Sequence, residues 1–170
     1  MTGKIKMSTV TVRPTVESDW EILKNLRLKA LQDSPDAFTA TYEKTKTHSE
    51  LEWRDRAAQK TPCQFLLAFD GIIAVGMVRG VIDEQHEFNV VAMWVHENYR
   101  GKGVADLLIS KLKKYAANQG YTKIVLCVEL GNLRAIQFYS KQGFIKVLEQ
   151  SSLISGSELS SQKMECFQFF

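Results

Sequence analysis

A glycine-rich turn between a predicted strand and a predicted helix most constrains how this chain can fold. An apolar run over 88–95 precedes the turn, and an apolar periodic segment over 104–115 follows it. The first amides of a helix have no acceptor within it, and the helix dipole places partial positive charge there. Glycines allow the main chain to approach an anion closely. The pattern predicts a diphosphate-binding loop formed by Arg100, Gly101, Lys102, Gly103, Val104 and Ala105.

Two other phosphate loops fit this segment poorly. The loop of ATPases and GTPases needs a Lys and then a Ser or Thr after its last glycine, whereas Lys102 is followed by Gly103. The dinucleotide-binding fingerprint needs a third glycine where Asp106 stands. A plain tight turn before a helix remains the alternative for the segment taken alone.

Length and composition predict one soluble domain over residues 1–170. The chain is 45% hydrophobic, and its net charge of +3 is too small to indicate nucleic-acid binding. No apolar run reaches membrane-spanning length, and the first residues lack the apolar core of a signal peptide. The cysteines Cys63, Cys127 and Cys166 lie in apolar strand-like runs without a Cys-x-x-Cys pair, which favours small hydrophobic roles and a reduced, cytoplasmic setting.

Turn and capping signals divide the chain into alternating strands and helices. Capping boxes at 18–21 and 49–52 predict two helix starts, and Asp70-Gly71 predicts a hairpin. Gly76 and Gly80 predict a bulge or a close approach in the second hairpin strand. The strand over 88–95 is apolar on both alternations, which predicts cover on both faces. Further strands are expected over 10–13, 121–128, 144–148 and 163–169, further helices over 104–118 and 132–141, and a polar connection over 151–162.

A second motif follows the apolar run over 124–128. It consists of Asn132, Ala135, Tyr139, Gly143 and Phe144 at the spacing Asn-x-x-Ala-x-x-x-Tyr-x-x-x-Gly-Phe. Together with Arg100, Gly103 and Ala105 of the first loop, it resembles the GCN5-related N-acetyltransferase (GNAT) superfamily. The resemblance is strongest over 88–149 and extends to the first strand. It implies an α/β fold with a mixed, mostly antiparallel sheet of six to seven strands, flanked by four helices and splayed at an acetyl-CoA site.

The resemblance also implies how acetyl-CoA is bound, with no metal. The backbone of Met93 and Val95 would pair with the pantetheine arm, and the amides of 101–105 would hold the pyrophosphate. A backbone N–H near Trp94 or Val95 would stabilise the developing oxyanion. Asn132 would cap its helix, contact pantetheine, or do both, and Ala135 would lie on the same cofactor-facing helix.

Acyl transfer to an amine also needs a proton donor and a base. Tyr139 stands at the family's general-acid position, although a tyrosine at this helical spacing is also typical of a core. Many family members carry a base on the strand before the loop. Asn89 cannot act as a base here, so Glu87, His86, or a water relayed to a distant carboxylate are the candidates.

The acceptor is the least determined part of the predicted function. Phe38, Tyr42, Glu43, Glu50 and Trp53 could line an amine site, or could equally be core aromatics and surface carboxylates. We expect a cytoplasmic N-acetyltransferase that acts on a primary amine of a small molecule or peptide. The family resemblance also suggests a homodimer. A noncatalytic acyl-CoA sensor is the alternative, and transfer to a hydroxyl or of a longer acyl group stays open.

Overall fold

The computed structural model describes residues 10–148 and 161–167. This part of the chain contains seven strands, namely β1 (Val10–Pro14), β2 (Cys63–Asp70), β3 (Ile73–Ile82), β4 (Phe88–Val95), β5 (Lys123–Glu129), β6 (Ile145–Lys146) and β7 (Ser161–Phe167). It also contains five helices, namely α1 (Trp20–Asp33), α2 (Tyr42–Thr45), α3 (Glu50–Ala57), α4 (Val104–Asn118) and α5 (Leu133–Lys141). The predicted α/β fold is confirmed, and the one-turn helix α2 adds to the four helices predicted.

The strands form a mixed, mostly antiparallel sheet in the order β1-β2-β3-β4-β5-β7-β6. The pairs β1–β2, β2–β3, β5–β7 and β6–β7 are antiparallel. Strand β4 pairs with β5 in parallel, with Phe88 opposite Ile124 and Asn89 opposite Val125. Most of the polar connection predicted over 151–162 lies outside the described residues, as do the last two residues of the strand predicted over 163–169.

The described residues form two compact units, of which the first comprises residues 10–81 and 91–112. Its core consists of one face of α1, Trp53 and Ala57 of α3, and inward side chains of β2, β3 and β4. Seven consecutive residues of β2 are buried, as expected for a strand inside a sheet that is covered on both faces. The prediction of a single domain over the whole chain stays a prediction.

Helix α1 begins differently from the prediction. The capping box predicted at 18–21 is wrong, because Ser18 is exposed and a 3-10 turn over Glu17–Asp19 precedes the helix. The Asp19 carboxylate accepts the Val16 amide at 2.9 Å and two hydrogen bonds from the Arg13 guanidinium at 2.7 and 3.0 Å. The second capping box is confirmed, because Ser49 and Glu52 exchange backbone-to-side-chain hydrogen bonds at the start of α3.

Gly76 positions the glycine-loop helix on strand β3. A Cβ atom at Gly76 would lie 3.2 Å from the Trp94 carbonyl oxygen, 3.2 Å from Leu108 and 3.3 Å from Val104. The β2–β3 register also shifts beside Gly76, which confirms the predicted irregularity and close approach at this glycine. The missing side chain therefore lets the first two turns of α4 pack directly against the strand.

The second unit comprises residues 82–90, 113–148 and 161–167 of the described chain. Strand β7 joins β5 to β6, and Phe88 contacts the rings of Tyr115 and Tyr121 at centroid distances of 6.3 and 5.3 Å. Gly120 and Gly143 follow α4 and α5 with φ of +89° and +90°, the left-handed conformation that glycine adopts readily at a helix end.

Two expectations about burial are wrong. Cys127 is exposed near the end of β5, although Val125 on the same alternation of the strand is buried, whereas Cys63 and Cys166 are buried as expected. Val91 of β4 is 39% exposed, so β4 is not covered along its whole length on both faces. A sequence of apolar residues does not reveal which alternation of a strand is left uncovered.

Candidate functional site

The loop before α4 presents a series of backbone amides at a helix N-terminus. Gly101 and Gly103 have φ of +71° and +80°, which a side chain would strain. Leu107 donates its amide to the Gly103 carbonyl at 3.1 Å, so the amides that precede Leu107 in the first turn lack an acceptor one turn earlier in the helix. Val104 and Leu108 are buried and fix the helix start. This geometry fits the binding of a diphosphate.

The basic side chains of the loop are bound to the protein itself. The Arg100 Nε donates to the Val95 carbonyl at 2.8 Å, and its Nη2 lies 2.6 Å from the Asp33 carboxylate. Lys102 Nζ donates to the Asn98 carbonyl at 2.9 Å. The two cations therefore hold the loop in shape and raise the local potential, while the amides provide the directional donors for an anion.

Asp33 links the end of α1 to β4 and to the loop. Its carboxylate accepts a hydrogen bond from Trp94 Nε1 at 3.0 Å and from the Ser34 hydroxyl at 2.8 Å, in addition to the Arg100 contact. The hydrogen bond from Trp94, followed by those from Ser34 and Arg100, lowers the pKa of Asp33 to about 2. The carboxylate is therefore ionised throughout the neutral range and keeps all three donors in place.

The last residues of β4 lie beside this link. Met93 is partly buried, and Trp94 and Val95 are buried. Ala92 has φ of +54°, an uncommon conformation for a residue with a side chain, which interrupts the regular strand just before Met93. The Val95 carbonyl is engaged by Arg100. The predicted pairing of Met93 and Val95 with pantetheine stays a prediction.

Helix α5 carries the second motif. The Asn132 side chain accepts the Ala135 amide at 3.1 Å, which makes Asn132 the N-cap. Asn132 itself is exposed and Ala135 is partly exposed, so both are accessible at the helix start. The capping half of the Asn132 prediction is thus observed, and its contact with a cofactor stays a prediction.

Tyr139 combines a packed ring with a raised pKa. The ring lies between Phe138 and Phe144, at centroid distances of 5.1 and 5.6 Å, and the residue as a whole is half-buried. Burial raises the pKa of Tyr139 to about 12. The phenol therefore stays protonated at neutral pH, as a proton donor must be.

Glu87 is held by two lysines in the second unit. Its carboxylate lies 2.5 Å from Lys123 Nζ and 3.1 Å from Lys163 Nζ. These hydrogen bonds, with Lys123 contributing most, lower the pKa of Glu87. A lowered pKa disfavours proton abstraction from an ammonium group. The assignment of Glu87 as the base stays a prediction, and this arrangement speaks against it.

The residues expected near an acceptor fall into two groups. Glu43 pairs with Lys46 and Glu50 with Arg54, so these carboxylates form surface ion pairs. Phe38 and Trp53 belong to the first unit's aromatic cluster, where arginines stack on both rings. The sequence did not predict a role for these arginines. Two arginines nevertheless stand among apolar residues, because Arg27 lies on the apolar face of α1 and Arg79 interrupts the apolar run of β3.

Within 10–148 and 161–167, no group of three or more His, Cys, Asp or Glu side chains could hold a metal ion. None of the helices in the same ranges is sufficiently long and apolar to cross a membrane.

Comparison with known proteins identifies the family. Residues 27–144 match the model of the acetyltransferase (GNAT) family, so the chain belongs to that family. An acetyltransferase of Sodalis glossinidius is 33% identical over 105 residues, which cover 62% of this chain and 72% of that protein. A mycothiol acetyltransferase of Corynebacterium efficiens is 34% identical over 51% of this chain, but only 28% of its own length is covered.

Solved structures show the same fold. The GNAT domain of S. lividans PAT superposes with a TM-score of 0.72 at 20% identity, covering 94% of this chain and 90% of that one. The PaiA N-acetyltransferase of Thermoplasma acidophilum, solved in complex with coenzyme A, gives a TM-score of 0.67 at 17% identity over 94% and 99% of the chains. The predicted family, fold and acyltransferase class are confirmed.

The contribution of Asp33 to the free energy of unfolding should depend on pH. Asp33→Asn should lower the free energy of unfolding by about 1 kcal/mol at neutral pH, because the hydrogen bonds to Trp94 and Arg100 lose their charged acceptor. A carboxyl with a lowered pKa stabilises the folded state above its unfolded pKa and loses this effect as the pH falls toward its folded pKa. The difference between wild type and variant should therefore shrink between about pH 4 and about pH 2.

Urea unfolding at a series of pH values measures this difference. Asp36→Asn is the matched control, because Asp36 is an exposed acid three residues further along the chain. A difference that is the same at both ends of the pH range would contradict the assigned role of Asp33.

Proposed function

We propose that this chain is an acetyl-CoA-dependent N-acetyltransferase that transfers the acetyl group to a primary amine. The observation that carries the proposal is the α4 loop, where Gly101 and Gly103 adopt positive φ and the first helical hydrogen bond is accepted by Gly103. Membership of the GNAT family supports the acyltransferase chemistry. When bound, acetyl-CoA would supply the activated thioester.

The loop fits the diphosphate of coenzyme A. The amides of residues 101–105 stand at the positive end of a 15-residue helix. Arg100 and Lys102 add positive charge beside those amides, while some of their own donors are engaged by Asp33, Val95 and Asn98. In this proposal, the backbone of Met93 and Val95 pairs with the pantetheine arm, and a backbone N–H near Trp94 or Val95 supports the thioester oxygen.

Tyr139 is proposed as the general acid on the strength of its motif position. Burial raises the pKa of Tyr139 to about 12, so the phenol carries its proton at neutral pH but is a weaker acid than a free tyrosine. Asn132 and Ala135 are proposed to contact the cofactor at the exposed start of the same helix. A water relayed to a carboxylate is preferred to Glu87 as the base, because two lysines lower the Glu87 pKa.

The acceptor is proposed to be the amine of a small molecule or peptide, and the setting of the enzyme is proposed to be the cytoplasm. A noncatalytic acyl-CoA sensor with the same fold is the second candidate. The presence of a tyrosine at the general-acid position of the motif favours the enzyme, since a sensor needs no proton donor there.

A charge reversal in the loop tests cofactor binding. Gly103→Glu should weaken acetyl-CoA binding by at least about tenfold. A side chain at this positive-φ position strains the loop backbone, and the glutamate carboxylate repels the diphosphate. Calorimetric titration with acetyl-CoA measures the affinity. Gly120→Glu is the matched control, since Gly120 has φ of +89° at another helix end with open space around it. Equal affinity of wild type and Gly103→Glu would refute the loop assignment.

Removal of the Tyr139 hydroxyl distinguishes the enzyme from the sensor. Tyr139→Phe should reduce kcat by about 100-fold or more while the acetyl-CoA affinity stays unchanged, because only proton donation is lost. The wild-type rate should not fall through Tyr139 ionisation below about pH 10, since its pKa is raised to about 12.

Coenzyme A release measured with a panel of amines gives the rate. Tyr115→Phe removes a second phenol whose pKa is also raised by burial, and it should leave kcat unchanged. An unchanged kcat in Tyr139→Phe would overturn the acid role.

A further inference from the structure

Three arginines of the first unit stack on aromatic rings of one cluster. Arg27 of α1 lies over Phe38 with its Cζ 4.7 Å from the ring centroid. Arg79 of β3 lies 5.3 Å from the Phe65 centroid, and Arg56 of α3 lies 5.2 Å from the Trp53 centroid. We call Arg27, Arg56 and Arg79 the arginine cluster.

Arg27 occupies a position that normally holds an apolar side chain. It follows Leu23 and Leu26 and precedes Ala30 on the buried face of α1, and it is 8% exposed. Its Nη1 is buried and donates to no acceptor in the part of the chain that the structure describes. A buried guanidinium without an acceptor is costly, so a purely structural role does not explain Arg27.

Arg79 repeats this pattern on the sheet. The β2–β3 register sets Arg79 opposite Phe65, on the strand alternation that also carries Met77 into the core. Its Nε is buried and likewise has no hydrogen-bond partner within the described residues. Two of the three guanidinium groups thus have a buried donor that the described part of the protein leaves unused.

The neighbouring acidic groups are already engaged. Among the described residues, no carboxylate lies within ion-pair distance of the arginine cluster, and the Arg56 guanidinium makes its polar contact with the His48 ring, at 3.4 Å. On α3, Glu52 contacts His48 and Asp55 pairs with Lys60.

The arginines also act on one another. Burial, followed by the positive charges of Arg79 and Arg56, lowers the pKa of Arg27 to about 10. Arg27 nevertheless stays charged at neutral pH, and like charges that repel at a buried place are stabilised when an anion binds among them.

We propose that Arg27, Arg56 and Arg79 bind an oxyanion group, a carboxylate or a phosphate, carried by the acceptor amine. Guanidinium groups present several donors in a plane and bind both kinds of oxyanion in a bidentate manner. The inference rests on the proposed function, because it assigns the ligand to the acceptor. The aromatic cluster beneath the arginines also contains Trp94, the neighbour of Met93 and Val95 in β4. Acceptors with several positive charges are disfavoured by the same cluster.

Binding of two simple oxyanions tests the site directly. Inorganic phosphate and succinate are titrated at constant ionic strength into protein saturated with coenzyme A, which keeps the α4 loop filled. We expect at least one probe to bind and raise the Tm, and Arg27→Met to weaken its affinity by about tenfold or more. The tighter probe shows whether the group is a phosphate or a carboxylate.

Lys29→Met is the matched control, because Lys29 is an exposed cation two residues from Arg27 on the same helix. It should bind the probe as wild type does. The unliganded Arg27→Met protein should be at least as stable as wild type, since a buried charge without a partner is removed. If Arg27→Met does not fold, Arg56→Gln, at a partly exposed position, takes its place. Probe binding that is absent in wild type, or equal in wild type and cluster variant, would overturn the site.

Acceptor pairs that differ in one group test the link to catalysis. β-Alanine is compared with its amide, and O-phosphoethanolamine with ethanolamine, by coenzyme A release. The member with the oxyanion should give the higher kcat/KM in wild type, by about tenfold or more, and Arg27→Met should abolish the preference. Equal rates within both pairs would overturn the acceptor assignment.

Failure of the proposed function has a different signature from failure of this inference. If the proposed function is wrong, the wild-type protein will not bind acetyl-CoA. If only this inference is wrong, acetyl-CoA binding will be intact, because the substitutions in the arginine cluster are not expected to change it. The oxyanion titration can then be compared between Arg27→Met and Lys29→Met without coenzyme A, so that the arginine cluster is judged separately.

Discussion

The candidate site depends on the charged hydrogen bonds made by Asp33. This one carboxylate accepts hydrogen bonds from the Trp94 indole in β4 and from the Arg100 guanidinium in the glycine loop. Asp33 itself is the last residue of α1. The Asp33 side chain is partly exposed, so each contact contributes a modest free energy. Together the contacts hold the end of α1, the end of β4 and the glycine loop in place. Because Arg100 is thereby bound to the protein, the anion site that we propose at the loop would consist mainly of backbone amides. Those amides are held by buried packing of Val104 and Leu108 against Gly76.

The parts of the site that the sequence predicted are those governed by local rules. Glycines at 101 and 103 need positive φ, and the Asn132 side chain satisfies an amide three residues away. Such features depend on a few consecutive residues, and they are found where they were expected. The strand-loop-helix order around α4 and the mostly antiparallel sheet follow from the same local signals together with the family resemblance.

The features that the sequence did not predict depend on distant partners. Trp94 and Asp33 are 61 positions apart, and no local pattern announces their hydrogen bond. Ser18 resembled a helix cap, but the hydrogen-bond acceptor at this end of α1 is the Asp19 carboxylate. It accepts the Val16 amide and is held by the Arg13 guanidinium. Cys127 was expected to be buried because its strand is apolar, and only the tertiary fold shows that the strand is uncovered at this residue. The arginine cluster was not predicted, because Arg27 and Arg79 lie in separate apolar segments and no local pattern indicates that both guanidinium groups stack on one aromatic cluster.

Two opposite electrostatic environments then shape the proposed chemistry. Burial keeps the Tyr139 phenol neutral, whereas two lysines keep Glu87 ionised and weakly basic. A crystal structure of the protein with bound coenzyme A would test the central claim most directly. The account predicts that pyrophosphate oxygens lie within about 3 Å of the amides of residues 101–105, with Arg100 still on Asp33. A diphosphate held away from this loop, on side chains elsewhere, would contradict it.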